Sequence, residues 1–220
     1  MLRKYLTLAM IEYVIPHNPD TRVLEKASAI LKDGGLICFP TDTSWIFAAC
    51  SSNKTAIDKL YKIKKENKQK HFSILCDDIS NASELAIINN NAFKILKRLI
   101  PGHFTFIFEA TKKIAKLVQA SKTDKEVGIR FVPSILVDKI IKTHGNLLIS
   151  TNITNSLLGL DEDSEDNIYS YLIEENCSNL ISMIIDPGEF EFTGQSTIIS
   201  FTSDTPEITR QGSGDVKGLI

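Results

Sequence analysis

A short apolar run that ends at a proline constrains the fold of this chain more than any other feature. Residues 36–39 are Leu, Ile, Cys and Phe, and Pro40 follows directly, with Thr41, Asp42 and Thr43 next. A short, wholly apolar run of this kind is typical of a buried strand. In open α/β sheets, ligands bind just beyond the carboxyl ends of strands. We therefore expect Thr41 and Thr43 to line a polar small-molecule pocket.

Helical and strand patterns alternate early in the chain, and strand patterns dominate its last third. Asn18 and Pro19 predict the start of a first helix, as N-cap and first helical residue. This order of elements predicts one α/β domain with a mixed sheet. Further helices are predicted over 55–65, 91–100, 134–144 and 168–175, and strands over 36–39, 72–76, 104–108, 127–131, 147–150, 183–185, 196–201 and 207–209.

The composition excludes several classes of protein. The net charge of the 220 residues is −2, so any basic surface must be local. Four widely spaced cysteines argue against a zinc ribbon or a disulfide framework and favour a reducing cytoplasm. No apolar stretch approaches the roughly 20 residues of a membrane helix. We interpret residues 1–10 as an N-terminal extension of a single domain over residues 11–220, and we predict no metal site.

A lysine-rich segment lies between residues 54 and 70. One interpretation is a solvated helix face, on which Lys62 and Glu66 pair at a spacing of four residues. The other is that its last residues overhang the pocket beside Thr43 and bind a polyphosphate as point charges. The lysines are Lys54, Lys59, Lys62, Lys64, Lys65, Lys68 and Lys70.

Two further polar groups follow predicted strands. Arg130 stands at the end of a strand, where it is a candidate clamp for a carboxylate or phosphate, although a surface salt bridge explains it equally well. Residues 150–156 form a hydroxyl and amide cluster that suits phosphate or carbonyl oxygens, or simple capping and turns. The four histidines show no metal-ligand spacing.

Six short motifs occur in one order along the chain, and in them it resembles the YrdC-like family of threonylcarbamoyl-AMP synthases, most closely its YciO branch. The resemblance covers about residues 11–218 and implies a single YrdC-like α/β domain, with a twisted open mixed sheet flanked by helices and a concave basic face. The motifs are Pro40-Thr41-Asp42-Thr43, Lys62-Ile63-Lys64, Pro101-Gly102-His103-Phe104-Thr105, Gly128-Ile129-Arg130, Ser196-Thr197-Ile198-Ile199 and Arg210-Gln211-Gly212.

The resemblance implies a reaction. Threonine and bicarbonate form a carbamate, whose carboxylate attacks the α-phosphate of ATP, and pyrophosphate leaves. Mg²⁺ arrives with the ATP, and the product serves the N6-threonylcarbamoyl modification of tRNA adenosine. This chemistry needs positioning, cations and exclusion of water rather than an enzyme nucleophile. Two alternatives stay open: nucleotide binding without turnover, and binding of double-stranded RNA or tRNA through a basic surface that includes Lys59, Lys65, Lys68 and Lys70.

The resemblance also implies roles for individual residues. Lys62 and Lys64 would hold the phosphates and Arg130 the threonine carboxylate, and these three form the expected catalytic group. Thr43 would bind the amino acid. The other expected contacts to substrate or ATP are Thr41, Cys76, Thr105, Ser150, Asn152, Thr154, Ser196 and Arg210.

The chain departs from the family pattern at four places. Lys64 stands where the family has arginine, and Trp45 with Ile46 replaces Tyr-Gly. Cys76 stands where synthases carry a histidine that contacts threonine. The family's S-x-N falls on residues 152–154 or, in a shifted register, on residues 150–152. These departures predict a weaker activity or an altered substrate on a retained nucleotide scaffold.

Overall fold

The computed structural model describes residues 9–64, 72–112, 126–161, 167–203 and 205–217. The strands are β1 Met10–Tyr13, β2 Ile37–Pro40, β3 Trp45–Cys50, β4 Ser73–Leu75, β5 Phe104–Glu109, β6 Glu126–Arg130, β7 Leu148–Asn152, β8 Met183–Asp186, β9 Thr197–Ser200 and β10 Glu207–Arg210. The helices are α1 Thr21–Lys32, α2 Lys54–Lys64, α3 Ile79–Ser83, α4 Asn90–Leu99, α5 Ile135–His144 and α6 Ser170–Cys177, with a 3-10 turn at Asn155–Leu158.

All ten strands form one open sheet in the order β1-β8-β2-β3-β7-β4-β6-β5-β9-β10. The pairs β1/β8, β2/β8, β4/β6 and β5/β9 are parallel, and the other five pairs are antiparallel. The mixed α/β fold predicted from the sequence is therefore confirmed. No helix in the described ranges has the length and apolar character that a membrane span requires.

Several element boundaries differ from the sequence prediction. Asp20, not Asn18, caps α1, because its carboxylate accepts a hydrogen bond of 2.8 Å from the backbone N–H of Arg22. Strands β1 and β3 and the short helix α3 were not predicted. The fold also includes Ala9, which is buried, and Met10, which pairs with Met183, so its first described elements precede the expected domain start at residue 11.

Two apolar cores lie on opposite faces of the sheet. The larger core includes side chains of α2, α4 and α6, among them Leu60, Leu96 and Ile173. The smaller core packs α1 and α5 against β2, β3, β7 and β8, with Leu31 and Ile140 at its centre. In every strand successive side chains point to opposite faces, so a residue's parity decides which core it joins.

Part of one sheet face lies outside both cores. In β4, β6, β5 and β9 the side chains of Ile74, Ile129, Phe106 and Ile199 belong to the larger core. Their sequence neighbours point the other way, yet no β5, β6 or β9 side chain contributes to the smaller core among the described residues. This area, which neither apolar core covers and which we name the open face, carries Ser73, Thr105, Ile107, Gly128, Arg130, Ser150 and Ile198.

Candidate functional site

The Pro40-Thr41-Asp42-Thr43 motif forms a hairpin loop rather than a strand-to-helix connection. Strands β2 and β3 pair antiparallel, with Pro40 opposite Trp45, so residues 41–44 form the loop. The backbone N–H of Thr41 donates to the carbonyl oxygen of Ser44 at 2.9 Å. The Thr41 hydroxyl donates to the same oxygen at 3.0 Å and accepts from the backbone N–H of Thr43 at 3.3 Å. Local hydrogen bonds thus fix the loop.

Arg130 reaches this loop from the end of β6. Its Nη2 donates to Oδ1 of Asp42 at 2.6 Å, and its Nη1 donates to the Thr43 hydroxyl at 2.9 Å. Both charged side chains are only 5% exposed. Burial lowers the pKa of Arg130, and the charge of Asp42 and its hydrogen bond oppose that shift. The arginine is therefore part of a buried ion pair, so the surface salt bridge considered from the sequence is wrong.

His103 shares the same carboxylate. Its Nδ1 lies 2.7 Å from Oδ2 of Asp42. The backbone N–H and the hydroxyl of Thr193 both donate to the Asp42 carbonyl oxygen, at 2.9 and 3.0 Å. Asp42, His103 and Thr193 had no role assigned from the sequence, although His103 stands inside one of the six motifs. We name the group formed by Thr41, Asp42, Thr43, His103 and Arg130 the loop cluster.

A second polar group lies where β5, β9 and β10 meet. The hydroxyls of Thr105 and Ser196 lie 2.9 Å apart. Arg210 donates from Nε and Nη2 to the Ser196 carbonyl oxygen, at 3.1 and 2.7 Å, and from Nη2 to its hydroxyl at 3.1 Å. Burial lowers the pKa of Arg210. We name Thr105, Ser196 and Arg210 the strand-end cluster. The family resemblance had indicated each of these three residues separately.

Gly128 lies on the open face between β4 and β5. A Cβ atom built on it would lie 3.6 Å from the Ser73 hydroxyl oxygen and 3.7 Å from the Thr105 methyl carbon. On the far side of Ser73, the hydroxyl of Ser150 donates to the Ser73 carbonyl oxygen at 3.1 Å. Gly128 itself is buried, and its missing side chain lets Ser73 and Thr105 approach the β6 backbone closely.

A close backbone approach explains the glycine of the last motif. A Cβ atom at Gly212 would lie 2.1 Å from the carbonyl oxygen of Gln195. The Gly212 backbone N–H donates to the Thr197 hydroxyl at 2.9 Å. The segment after β10 therefore packs directly on the start of β9, and it supports the position of Ser196.

Other predicted residues lie apart from the two clusters. Cys76 belongs to the larger core, on the opposite face from the Arg130 side chain, and burial raises the pKa of its thiol. Asn152 is exposed opposite Ile46, and Thr154 precedes the 3-10 turn without a side-chain capping bond.

The lysine-rich helix α2 packs on the larger core, so it lies on the other side of the sheet from the open face. Lys62 is exposed, and the Lys59 ammonium donates to the Gly34 carbonyl oxygen at 2.6 Å. The α2 backbone ends at Lys64, whose side chain is outside the described part of the structure. The predictions for Lys65, Lys68 and Lys70 also lie outside the described residues.

A separate cleft of about 380 Å³ opens at the amino-terminal end of α5. Its lining is apolar apart from Cys76, Asp77, Ser134 and Asp138, and it contains no lysine or arginine. Carboxylates without a lining cation disfavour a phosphate ligand. The two polar clusters on the open face, each with an arginine, are therefore the better candidate for binding an anionic substrate.

Comparison with known proteins agrees with this architecture. YciO of Escherichia coli is 29% identical over 210 residues, which are 94% of this chain and 98% of that protein. Its crystal structure matches with a TM-score of 0.83 and 27% identity, and the match covers 97% of this chain and all of that one. A putative threonylcarbamoyl-AMP synthase of Methanocaldococcus jannaschii is 25% identical over 200 residues, 91% of this chain and 90% of its own length.

A more distant structure shares the fold. The crystal structure of P. abyssi Sua5 complexed with L-threonine matches with a TM-score of 0.78 at 20% identity, over 93% of this chain and 58% of Sua5. The family model for Sua5, YciO and YrdC, described as telomere recombination, matches residues 29–212. The chain therefore belongs to the Sua5/YciO/YrdC family.

Proposed function

We propose that this protein is a threonylcarbamoyl-AMP synthase-like enzyme that joins an amino-acid carbamate to the adenylate of ATP. The observation that carries the proposal is the pair of arginine-containing clusters on one uncovered sheet face, in a chain of this family. Two relatives support the substrate class: the putative threonylcarbamoyl-AMP synthase of M. jannaschii, and P. abyssi Sua5, which was crystallised in complex with L-threonine. The substrates are ATP with Mg²⁺, bicarbonate and threonine or a related amino acid.

The strand-end cluster is suited to the nucleotide. Arg210 is held by three hydrogen bonds to Ser196, so its guanidinium is pre-oriented before a ligand arrives. Pre-oriented donors lose little side-chain entropy when a phosphate binds. The absence of a side chain at Gly128 leaves room beside Thr105, next to this cluster, for the adenylate to approach the sheet.

The loop cluster is suited to the amino acid. The Thr43 hydroxyl is held by Arg130 at 2.9 Å, and the loop that carries it is closed by the backbone hydrogen bond from Thr41 to Ser44. Arg130 supplies positive charge close to a substrate carboxylate, and its remaining donor, Nε, is buried without a partner in the described structure. The reaction then requires in-line placement of the carbamate against the α-phosphate and stabilisation of the leaving pyrophosphate.

The product, a threonylcarbamoyl adenylate, would serve N6-threonylcarbamoyl modification of tRNA. The test is release of pyrophosphate from ATP by the purified protein, with and without bicarbonate and threonine. We expect release that depends on both, and loss of it in Arg210→Gln but not in the exposed control Arg98→Gln. If the unaltered protein releases no more pyrophosphate than Arg210→Gln does, the proposal is overturned. ATP binding by calorimetry without turnover would then identify a nucleotide-binding protein.

A further inference from the structure

His103 and Asp42 form an oriented pair that the proposed substrate contacts do not use. The Nδ1 atom of His103 lies 2.7 Å from the carboxylate of Asp42, which is 5% exposed, whereas the imidazole is 35% exposed. A buried carboxylate that accepts from Nδ1–H holds the tautomer in which Nε2 keeps its lone pair. The pair thus presents a ring nitrogen that is able to accept a proton.

The pair lies at the substrate face. His103 immediately precedes β5, and its ring contacts Asp42, the carboxylate that also binds Arg130 from the open face. Its carbonyl oxygen accepts from the backbone N–H of Thr197 at 3.0 Å, which fixes the position of the residue beside β9. The ring is therefore anchored in the loop cluster, and its backbone is anchored beside the first residue of β9.

A continuous chain of hydrogen bonds links His103 to the proposed amino-acid site. Asp42 binds His103 through Oδ2 and Arg130 through Oδ1, so a single carboxylate separates the imidazole from the guanidinium. Arg130 in turn holds the Thr43 hydroxyl at 2.9 Å. In an α-amino acid bound with its carboxylate beside Thr43, the nitrogen is only two bonds from the carboxylate carbon, so it lies on the side of the loop cluster that also holds the His103 ring if the chain of contacts through Asp42 sets its orientation.

We infer that His103, oriented by Asp42, is the general base that takes the proton from the substrate ammonium group; this inference rests on the proposed function. The ammonium N–H bond breaks and the proton moves to Nε2 of His103. The neutral amine nitrogen then bonds to the carbon of bicarbonate, whose C–O bond breaks. The departing hydroxyl takes one amine hydrogen and leaves as water, so a carbamate remains. His103 later returns its proton to solvent.

Two charged side chains, Asp42 and Arg130, surround the His103 ring in the loop cluster. Asp42, from the hairpin loop, contacts it directly, and Arg130, from β6, follows behind that carboxylate. Thr193 approaches Nδ1 with its hydroxyl at 3.4 Å and carries no charge. Arg210 acts on Arg130 through its charge. Within the described residues these are the groups that shape how proton transfer to His103 depends on pH.

The test compares the forward reaction with its reverse. Formation of the adenylate from threonine and bicarbonate requires a deprotonated amine, whereas synthesis of ATP from the purified adenylate and pyrophosphate does not. His103→Asn keeps an amide N–H that can donate to Asp42 but removes the base. The exposed residue His17 provides the matched control His17→Asn.

We expect His103→Asn to lower the forward rate by about 100-fold near neutral pH, the usual contribution of a general base. Its rate of ATP synthesis from adenylate and pyrophosphate should stay within about twofold of the unaltered enzyme. The forward deficit should shrink at alkaline pH, where solution deprotonates the amine. Equal losses in both directions, or a deficit unchanged by pH, overturn the role of His103. Absence of both reactions in the unaltered protein overturns the proposed function itself.

Discussion

Asp42 and Arg130 lie 88 residues apart in the sequence, yet their carboxylate and guanidinium are joined by a buried hydrogen bond of 2.6 Å. Arg130 closes β6, and Asp42 lies in the hairpin loop between β2 and β3. Neither side chain has water as an alternative partner, because each is 5% exposed. The pair therefore ties the loop to the far half of the sheet.

Asp42→Asn should destabilise the protein by about 3–5 kcal/mol, because it leaves the Arg130 charge buried without its counter-charge. Urea unfolding followed by circular dichroism measures the change. The control is Asp138→Asn, which breaks the exposed pair with Lys142 and should cost less than about 1 kcal/mol. Replacing both buried partners, as in Asp42→Leu with Arg130→Met, should recover much of the loss. Equal effects of the two Asp→Asn substitutions would contradict the burial of the pair.

Arg210→Lys should weaken ATP binding by roughly tenfold, because a lysine ammonium cannot reproduce the forked contact with Ser196. Titration calorimetry measures the dissociation constant. Arg98→Lys, on the exposed side of α4, is the matched control and should leave it unchanged. If both variants bind ATP like the unaltered protein, the strand-end cluster is not the nucleotide site.

Gly128→Ala should weaken ATP binding roughly tenfold while changing the free energy of unfolding by no more than about 1 kcal/mol. The added methyl occupies the floor between Ser73 and Thr105, and its tightest contact is the Phe72 carbonyl oxygen at 3.3 Å. Calorimetry and urea unfolding of the same sample separate the two effects. Gly212→Ala provides the contrast, since its methyl meets backbone at 2.1 Å and should lower stability. Unchanged ATP affinity in Gly128→Ala would place the nucleotide elsewhere.

Cys50 should make stability depend on pH. Burial raises the pKa of its thiol, but the neighbouring His144 ring and the Ser52 hydroxyl, which lies 3.1 Å from the sulfur, outweigh burial and bring it to about 7, below its ordinary value of 9.0. An acid whose pKa falls on folding stabilises the protein above its unfolded pKa, and the contribution is lost as the pH falls through the folded value. The stability difference between the unaltered protein and Cys50→Ala should therefore grow between about pH 6 and about pH 8.

Cys177→Ala is the control for this pH effect. Burial raises the pKa of Cys177 to about 11, so its thiol stays protonated in both folded and unfolded chains below about pH 8. The difference in free energy of unfolding between Cys177→Ala and the unaltered protein should therefore stay constant over the same pH range. Urea unfolding at each pH supplies both measurements, and a constant difference for Cys50→Ala as well would contradict the low pKa.

Local sequence patterns predicted most elements because periodicity and capping are local. Ser134 and Gly145 bound α5 as N-cap and left-handed C-cap, at the positions that the sequence indicated for its ends. Strand β3 was missed because Trp45 and Ile46 were considered only as a departure from the family pattern. Strand β1 was missed because its pairing with β8 is set by residues 173 positions away.

The candidate site was predictable only in part. The resemblance selected Thr105, Ser196 and Arg210 one by one, and the structure joins them in one cluster. The resemblance indicated no partner for Arg130, because Asp42 lies 88 residues earlier in the chain and only the assembled sheet brings the two side chains together. His103 had no signal of its own, since a lone histidine after a proline-glycine turn carries no spacing pattern.

The order of the strands determines when the strand-end cluster forms during folding. Strand β5 lies between β6 and β9, and β10 is the outermost strand on that side. Strands β5 and β9 pair across 93 residues of sequence. Contacts between segments so distant in sequence are slow to form, since long loops must close first. The strand-end cluster exists only after β9 and β10 have joined the sheet. A nascent or truncated chain that lacks residues 197–210 should therefore lack the proposed nucleotide site, and ATP binding should report that the last strands have docked.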